Sequence, residues 1–323
     1  MTSLNKTLAL LEEHRGICIS GEYIASMLNI SRSAVWKVIK ALRKEGYRID
    51  AITNKGYCLL DSNDIISKEG ILPFLPGVLT EDDIHTYKVL DSTQTKAKAM
   101  AMAGAKHGTL IIAEEQTHGR GRYERSFYSQ PGMGIYLSII MLPGSLAFDS
   151  PVIITQCAAV AVCMAIETLT GKPTQVKWVN DVFMDGNKIC GILTECVTDI
   201  ESQSIQWMAV GIGVNFCAQQ SDFPEELRHI AGAVFNCDPT VTRNQLIAEI
   251  AKNMLIAPYC ADVKSMYAHY KERLMMLGKR VTVSGIGVSY EAMALDVDDT
   301  GRLLVKKDNG EETWLFGGEI SVK

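Results

Sequence analysis

The stretch Lys177-Trp178-Val179-Asn180-Asp181-Val182-Phe183-Met184-Asp185-Gly186-Asn187-Lys188-Ile189-Cys190-Gly191-Ile192-Leu193-Thr194-Glu195 decides how the chain is read. Two short apolar runs flank a polar turn, which predicts a β-hairpin. Asp185-Gly186-Asn187 supplies the positive-φ positions that a tight turn needs. Lys177, Asn180, Asp181, Lys188 and Glu195 nevertheless fall in strands that should line a core, and ionised groups are rarely buried without partners. Two readings follow: an ion-pair ladder along an edge strand, or a charged pocket.

The totals bound the answer. At 323 residues, with 47% hydrophobic and 21% charged residues, the chain is an ordinary globular protein of two or three domains. Its net charge is −5, but residues 1–60 carry nine Lys/Arg against five Asp/Glu. A basic amino-terminal module on an acidic body predicts that only the first module meets a polyanion. The nine cysteines form no CxxC pair, and the six histidines no HExxH, so neither a structural metal nor a disulfide framework is expected. No signal-peptide pattern opens the sequence, and free thiols then imply a cytoplasmic setting. The longest apolar run, Cys157 to Ile166, suits a buried helix rather than a membrane span.

Outward from the hairpin, the chain divides into three textures. Residues 1–62 predict three helices and a wing. Leu4, Leu8 and Leu11 share a face of the first helix, Ser20-Gly21-Glu22 starts the second, and Ser31 caps the third through about Leu42. Val35, Val38, Ile39 and Leu42 should face inward, leaving Arg32, Ser33, Trp36, Lys37 and Lys40 outside. Gly21 to Lys40 thus reads as a helix-turn-helix, with Ser31, Arg32, Ser33, Trp36, Lys37 and Lys40 the candidate DNA contacts. The competing reading is a helical docking domain with a solvated charged face. Asp61–Gly70 is a linker candidate.

Residues 71–272 alternate strands and helices, an α+β or mixed-sheet body. Asp91-Ser92-Thr93-Gln94 ends a strand and caps a helix, leaving free N–H groups that suit a polar ligand or serve merely as a cap. Glu115-Gln116-Thr117-His118-Gly119-Arg120-Gly121-Arg122 follows a β-branched strand as a glycine-rich loop whose guanidiniums fit phosphate or carboxylate oxygens. It is not a Walker A loop. Gly211 and Gly213, inside the strand 208–216, allow close approach to the backbone or mark a bulge. Residues 278–323 carry five short strands with Asp-Thr-Gly and Asp-Asn-Gly turns, a small all-β barrel packed on the body.

Four features in this order, Asp91-Ser92-Thr93-Gln94, Gly119-Arg120-Gly121-Arg122, Lys177-Trp178-Val179-Asn180-Asp181 with Lys188 and Gly191, and Gly211-Ile212-Gly213-Val214-Asn215, resemble the biotin–protein ligases. With the winged helix in front, the whole chain is similar to the bifunctional class that is also the biotin operon repressor. The resemblance implies an α+β fold: a winged helix-turn-helix, a mixed α/β catalytic domain and an SH3-like barrel. It implies adenylation of biotin by ATP to biotinyl-5′-AMP, with Mg²⁺ required, then transfer to a lysine of biotin carboxyl carrier protein. By resemblance Arg120, Arg122 and Lys188 are catalytic. Ser92, Thr93, Gln94, Gln116 and Gly121 join those three in binding biotin. Asn180, Asp181 and Asn215 lie on the nucleotide side, and the metal ligands are unassigned. It further implies operator DNA as a partner, a homodimer when the adenylate is bound, and no membrane.

The chain departs from the family pattern in four places. Val179 replaces a common proline, Glu124 a common glycine and Phe127 a frequent tryptophan. Lys323 stands where some relatives carry an arginine that reaches ATP. Three alternatives compete: a ligase whose first domain is not a repressor, a lipoate–protein ligase, and a ligand-sensing transcription factor without activity. Lipoate has no ureido ring, so polar groups at Ser92–Gln94 and Gln116 would be wasted on it.

Overall fold

Each of the first three helices starts on a hydroxyl. In the computed structural model, which describes residues 2–144, 150–199, 201–202, 204–257, 262–285 and 288–322, Thr2, Ser20 and Ser31 cap α1 (Ser3–Glu13), α2 (Gly21–Leu28) and α3 (Arg32–Lys44). Each side-chain oxygen accepts an N–H that the first turn leaves orphaned. Asn29 turns the chain between α2 and α3 at φ 51°, the left-handed conformation asparagine tolerates. β1 (Ile49–Ile52) and β2 (Gly56–Leu59) form the antiparallel wing. Leu8, Leu11, Ile24, Val35, Ile39, Leu42 and Leu59 make a core of their own, with Val38 half-buried beside it.

Two expectations for this region are corrected. Cys18 and Cys58 form a disulfide. A backbone bridge between Ile19 and Tyr57 sets the two cysteines side by side although 40 residues separate them, so no local spacing announces the pair. Six of the remaining cysteines are free, and Cys260 lies outside the described residues. Asp61–Gly70 is also no loose linker. Its Asp64 takes the Arg243 guanidinium at 2.7 Å and the Arg243 backbone N–H at 2.7 Å. Asn244 holds Ser67 and Ile65, while Arg15 donates to the Leu60, Asp61 and Asn63 carbonyls. A short helix, α4 (Lys68–Ile71), ends the segment, its Glu69 held by Asn5 of α1.

The central body is a seven-stranded sheet. β3 (Ile84–Leu90), α5 (Thr93–Met102), β4 (Leu110–Gln116), β5 (Gly134–Met141) and α6 (Pro151–Thr170) precede β6 (Gln175–Lys177), β7 (Asp181–Met184), β8 (Asn187–Thr198) and β9 (Ile205–Asn215). The order is β3-β4-β5-β9-β8-β7-β6, parallel only between β3 and β4. β5 is buried from end to end. Alternate residues of β4 and β5 feed opposite faces: Ile111 and Ile140 pack under α5, whereas Leu110, Ile112 and Ile139 pack under α6. α6 is long and apolar enough by composition to cross a membrane, but Ile154 to Val162 sit fully or nearly fully buried in the main core. α7 (Arg243–Leu255) and α8 (Val263–Arg273) cover the same face.

The opening stretch is not one hairpin but two. A first turn at Trp178–Asn180 separates β6 from β7, and Asp185-Gly186, at φ 50° and 78°, separates β7 from β8. Both turn residues have the positive φ that a two-residue hairpin demands. Gly211 and Gly213 stand in unbroken register with β8, so the bulge reading fails there. β10 (Arg280–Gly285), β11 (Val288–Val297), β12 (Leu303–Lys306), β13 (Glu312–Leu315) and β14 (Glu319–Val322) form the expected small β unit, a five-stranded antiparallel sheet ordered β13-β12-β11-β10-β14. Trp178 and Gln156 both donate to the Gly301 carbonyl and dock it on the body.

Candidate active site

The glycines of β8 and β9 make the floor. A Cβ on Gly213 would lie 2.7 Å from the Phe127 ring, and one on Gly211 would lie 2.8 Å from Gln94 Oε1. Both strands are therefore bare where side chains from α5 and the 117–130 loop come down on them. A cavity of about 300 Å³ opens above this floor. Ser92, Thr93, Gln94, Gln116, Arg120, Gly121, Arg122, Asn180, Asp181, Lys188 and Asn215 all line it, together with Lys177, Phe127 and Glu319. Of the charged residues in the opening stretch, Glu195 is not a member. It pairs with Lys98 of α5 at 2.6 Å instead.

One wall is a neutral hydrogen-bonding cluster. Ser92 caps α5 by accepting from the Gln94 N–H. Gln116 Oε1 accepts from the Thr93 N–H at 2.8 Å and lies 3.1 Å from Thr93 Oγ1, while its Nε2 donates to Ser129. Gln94 Nε2 donates to the Ala209 and Leu193 carbonyls, which consumes both of its amide hydrogens on the sheet. Ser138 of β5 joins this cluster, and nothing in the sequence had singled it out. The only signal was a serine in a strand of otherwise apolar and aromatic residues.

The opposite wall is ionic. Lys188 Nζ lies 2.6 Å from Asp181 Oδ1 and Lys177 Nζ 3.7 Å from Oδ2. The Lys188 contact is an ion pair by distance, yet Oδ1 takes no hydrogen bond of good geometry. An incoming anion can therefore compete for the ammonium. Arg122 donates to Asn180 Oδ1 at 3.0 Å and to the Gly318 carbonyl at 3.3 Å. Arg125 forms a forked pair with Glu319 at the start of β14. These contacts latch the arginine loop to the C-terminal sheet, an arrangement no local pattern announced. Arg120 is exposed, and among the described residues its guanidinium has no protein partner. Asn215 Nδ2 is spent on the Gly232 carbonyl at 2.8 Å, leaving its Oδ1 free of that bond. Lys323 lies outside the described residues.

Two titratable groups beside the cavity are held neutral. Burial pushes the Cys190 thiol well above its usual value, although Lys188 pulls it down. Burial likewise raises the Tyr136 phenol, with Arg243 opposing. Neither supplies a thiolate or phenolate at neutral pH, so the chemistry falls to the fixed cations and amides.

The candidate DNA contacts lie in the amino-terminal helices. Arg32, Ser33, Trp36, Lys37 and Lys40 are all exposed on α3. Trp36 is 54% exposed, with Lys40 Nζ 5.3 Å from its ring centroid. Ser31 is held by its capping bond to Ala34 and by Ser33.

Fold and cavity together define a winged helix joined to a ligase of the biotin/lipoate class. The Biotin/lipoate A/B protein ligase family matches residues 86–215, an HTH domain matches residues 3–58, and the biotin protein ligase C terminal domain matches residues 276–323. The bifunctional ligase/repressor BirA of Bacillus subtilis (strain 168) is 34% identical over 299 residues, covering 90% of each chain. That of Escherichia coli (strain K12) is 27% identical over 331 residues, covering 98% of this chain and 96% of its own. The chain belongs to the bifunctional biotin ligase/repressor family. In fold it is similar to the biotin protein ligase from Aquifex aeolicus in complex with biotin and ATP, with a TM-score of 0.60, 24% identity, and coverage of 74% of this chain and 98% of that one.

Proposed function

We propose that this chain is an ATP-dependent biotin–protein ligase and a DNA-binding repressor of biotin synthesis genes. The observation that carries the reading is the convergence of five cations, Arg120, Arg122, Arg125, Lys177 and Lys188, on one cavity that also presents a neutral polar wall. A carboxylate attacking a phosphate brings two anions together, and only fixed positive charge lowers that barrier. The biotin carboxylate oxygen attacks the α-phosphorus of ATP and pyrophosphate leaves. The amine of a carrier-protein lysine then attacks the acyl carbon and AMP leaves. In this reading Lys188 holds the carboxylate and the developing phosphoryl charge, and Arg120 and Arg122 close over the adenylate. Ser92, Thr93, Gln94, Gln116 and Gly121 form the biotin pocket. Asn180, Asp181 and Asn215 face the nucleotide.

Among the described residues no three His, Cys, Asp or Glu side chains gather as a metal cage. The two acids of the ionic wall are already paired, Asp181 to lysines and Glu319 to Arg125. That donor set suits Mg²⁺ carried in on ATP phosphates, which would supply charge neutralisation there. The division into residues 1–62, 71–272 and 278–323, the carrier protein as acceptor, the adenylate-dependent homodimer and the cytoplasmic, membrane-free setting belong to the same proposal. Operator binding favours that setting, since the DNA is there. The test is mass spectrometry of a biotin carboxyl carrier domain incubated with the protein, biotin, ATP and Mg²⁺. One added biotinyl group is expected; an unmodified carrier refutes the ligase.

A further inference from the structure

Trp36 is the one large apolar side chain that α3 leaves exposed. Val35, Ile39 and Leu42 are buried in the core of the winged helix and Val38 packs half-buried against it; the Trp36 ring is not part of that core. Its surroundings suit a polyanion. α3 carries five basic residues and no acid, and Arg32, Lys37 and Lys40 are exposed together with Trp36. Lys40 Nζ lies over the indole, 5.3 Å from its centroid, and restrains the ring. Trp36 is the fifth residue of its helix, and recognition helices meet base edges with their N-terminal residues.

The cations of this face reach phosphates, which fix register and carry no sequence information. An indole is different. The floor of the major groove is made of hydrogen-bonding atoms, and its one apolar group is the C5 methyl of thymine. Laid against a G·C pair, the ring would strip water from polar edges and offer a single N–H in return. Laid against a thymine methyl, it buries apolar surface on both sides. We propose that Trp36 is a specificity-determining residue that reads thymine through its methyl group, so that the bound DNA carries a thymine at the position facing the ring. The proposal rests on the DNA-binding half of the proposed function. Arg32, Lys37 and Lys40 hold the helix on the backbone whatever the sequence, and Trp36 supplies the discrimination.

The test starts from a random-sequence pool of DNA duplexes, selected by the full-length protein with biotin, ATP and Mg²⁺ present. Each thymine of the best-bound duplex is then replaced singly by deoxyuridine, which pairs identically and lacks only the methyl group. Affinity is read by gel shift for the wild type, Trp36→Ala and Trp36→Phe. The expected result is at least one thymine whose methyl is worth about fourfold to the wild type, the value of one buried methyl group, and nothing to Trp36→Ala. Trp36→Phe keeps an apolar ring without the N–H and should retain at least half of that effect. Should the alanine variant fail to fold, Trp36→Gln takes its place and should likewise be indifferent to the methyl. A wild type indifferent to every methyl, or methyl effects that all survive in Trp36→Ala, overturns the proposal. If the pool yields no enriched sequence, the repressor reading falls and Trp36's role falls with it. If a sequence is enriched and its methyls are silent, the repressor reading stands and only the role of Trp36 is refuted.

Discussion

Replacing Lys188 should do two kinds of damage, and the structure separates them. Lys188→Gln removes the cation 2.6 Å from Asp181, and the nearest remaining one, Lys177, is at 3.7 Å from the other oxygen. The lost transition-state contact alone is worth roughly 10²–10³ in rate. The freed carboxylate adds repulsion, because Asp181 would then face an incoming anion with half its screen gone. Like charges about 4 Å apart repel by up to about 4 kcal/mol in a partly wet site, so a tenfold share of the loss is conservative. Asp181→Asn placed on top of Lys188→Gln should therefore recover about tenfold of the adenylation rate. The assay is pre-steady-state pyrophosphate release at saturating biotin and ATP. A loss within tenfold for Lys188→Gln refutes its assigned role. A double variant no better than the single one refutes the reasoning about Asp181.

Further outcomes follow from other parts of the molecule. Trp36→Ala should weaken operator binding while carrier biotinylation stays within twofold, since the ring is exposed on α3 far along the chain from the cavity; equal operator affinity in a gel shift would count against it. Lys37→Ala should reduce the salt dependence of DNA binding by about one charge, read as the slope of log affinity against log salt. Arg243→Ala should cost about 2–4 kcal/mol in denaturant unfolding, somewhat under the roughly 3–5 kcal/mol for breaking a fully buried pair, because Asp64 and Glu114 are themselves partly exposed. A change below about 0.5 kcal/mol would refute that. Burial opposes ionisation of Glu167, but hydrogen bonds from Arg273 and Thr174 outweigh it and hold the carboxyl below its ordinary 4.5. A lowered folded value contributes stability that is present above pH 4.5 and lost as pH falls through the folded value. The melting-temperature gap between wild type and Glu167→Gln should hence shrink below pH 4.5; a constant gap sinks the assignment.

Much of this was legible in the sequence because local rules carried it. Ser20 and Ser31 announce helix starts, the Val35/Ile39/Leu42 spacing announces a buried face, and Asp185-Gly186 announces a turn; each signal involves groups within a few residues of one another. The reading of Asp61–Gly70 failed for the opposite reason. Its polar residues look like a linker, yet their partners Arg243 and Asn244 lie 179 residues away or nearly so. The Cys18–Cys58 pair was missed likewise, since a wing bridge rather than a spacing brings it together. The 177–181 turn was missed because strand-forming residues on both sides masked it.

By itself the sequence determined the elements, their order and the chemical inventory, with its arginines, lysines, carboxylate and hydroxyls, because propensity, capping and period are written locally. Only the tertiary structure decided which of those groups meet. It set Lys188 rather than Glu195 beside Asp181, brought Glu319 and Gly318 to the arginine loop, and put Ser138 behind Thr93. Such contacts depend on sheet order and register, which come from packing the whole core at once and leave no mark on any short stretch of chain.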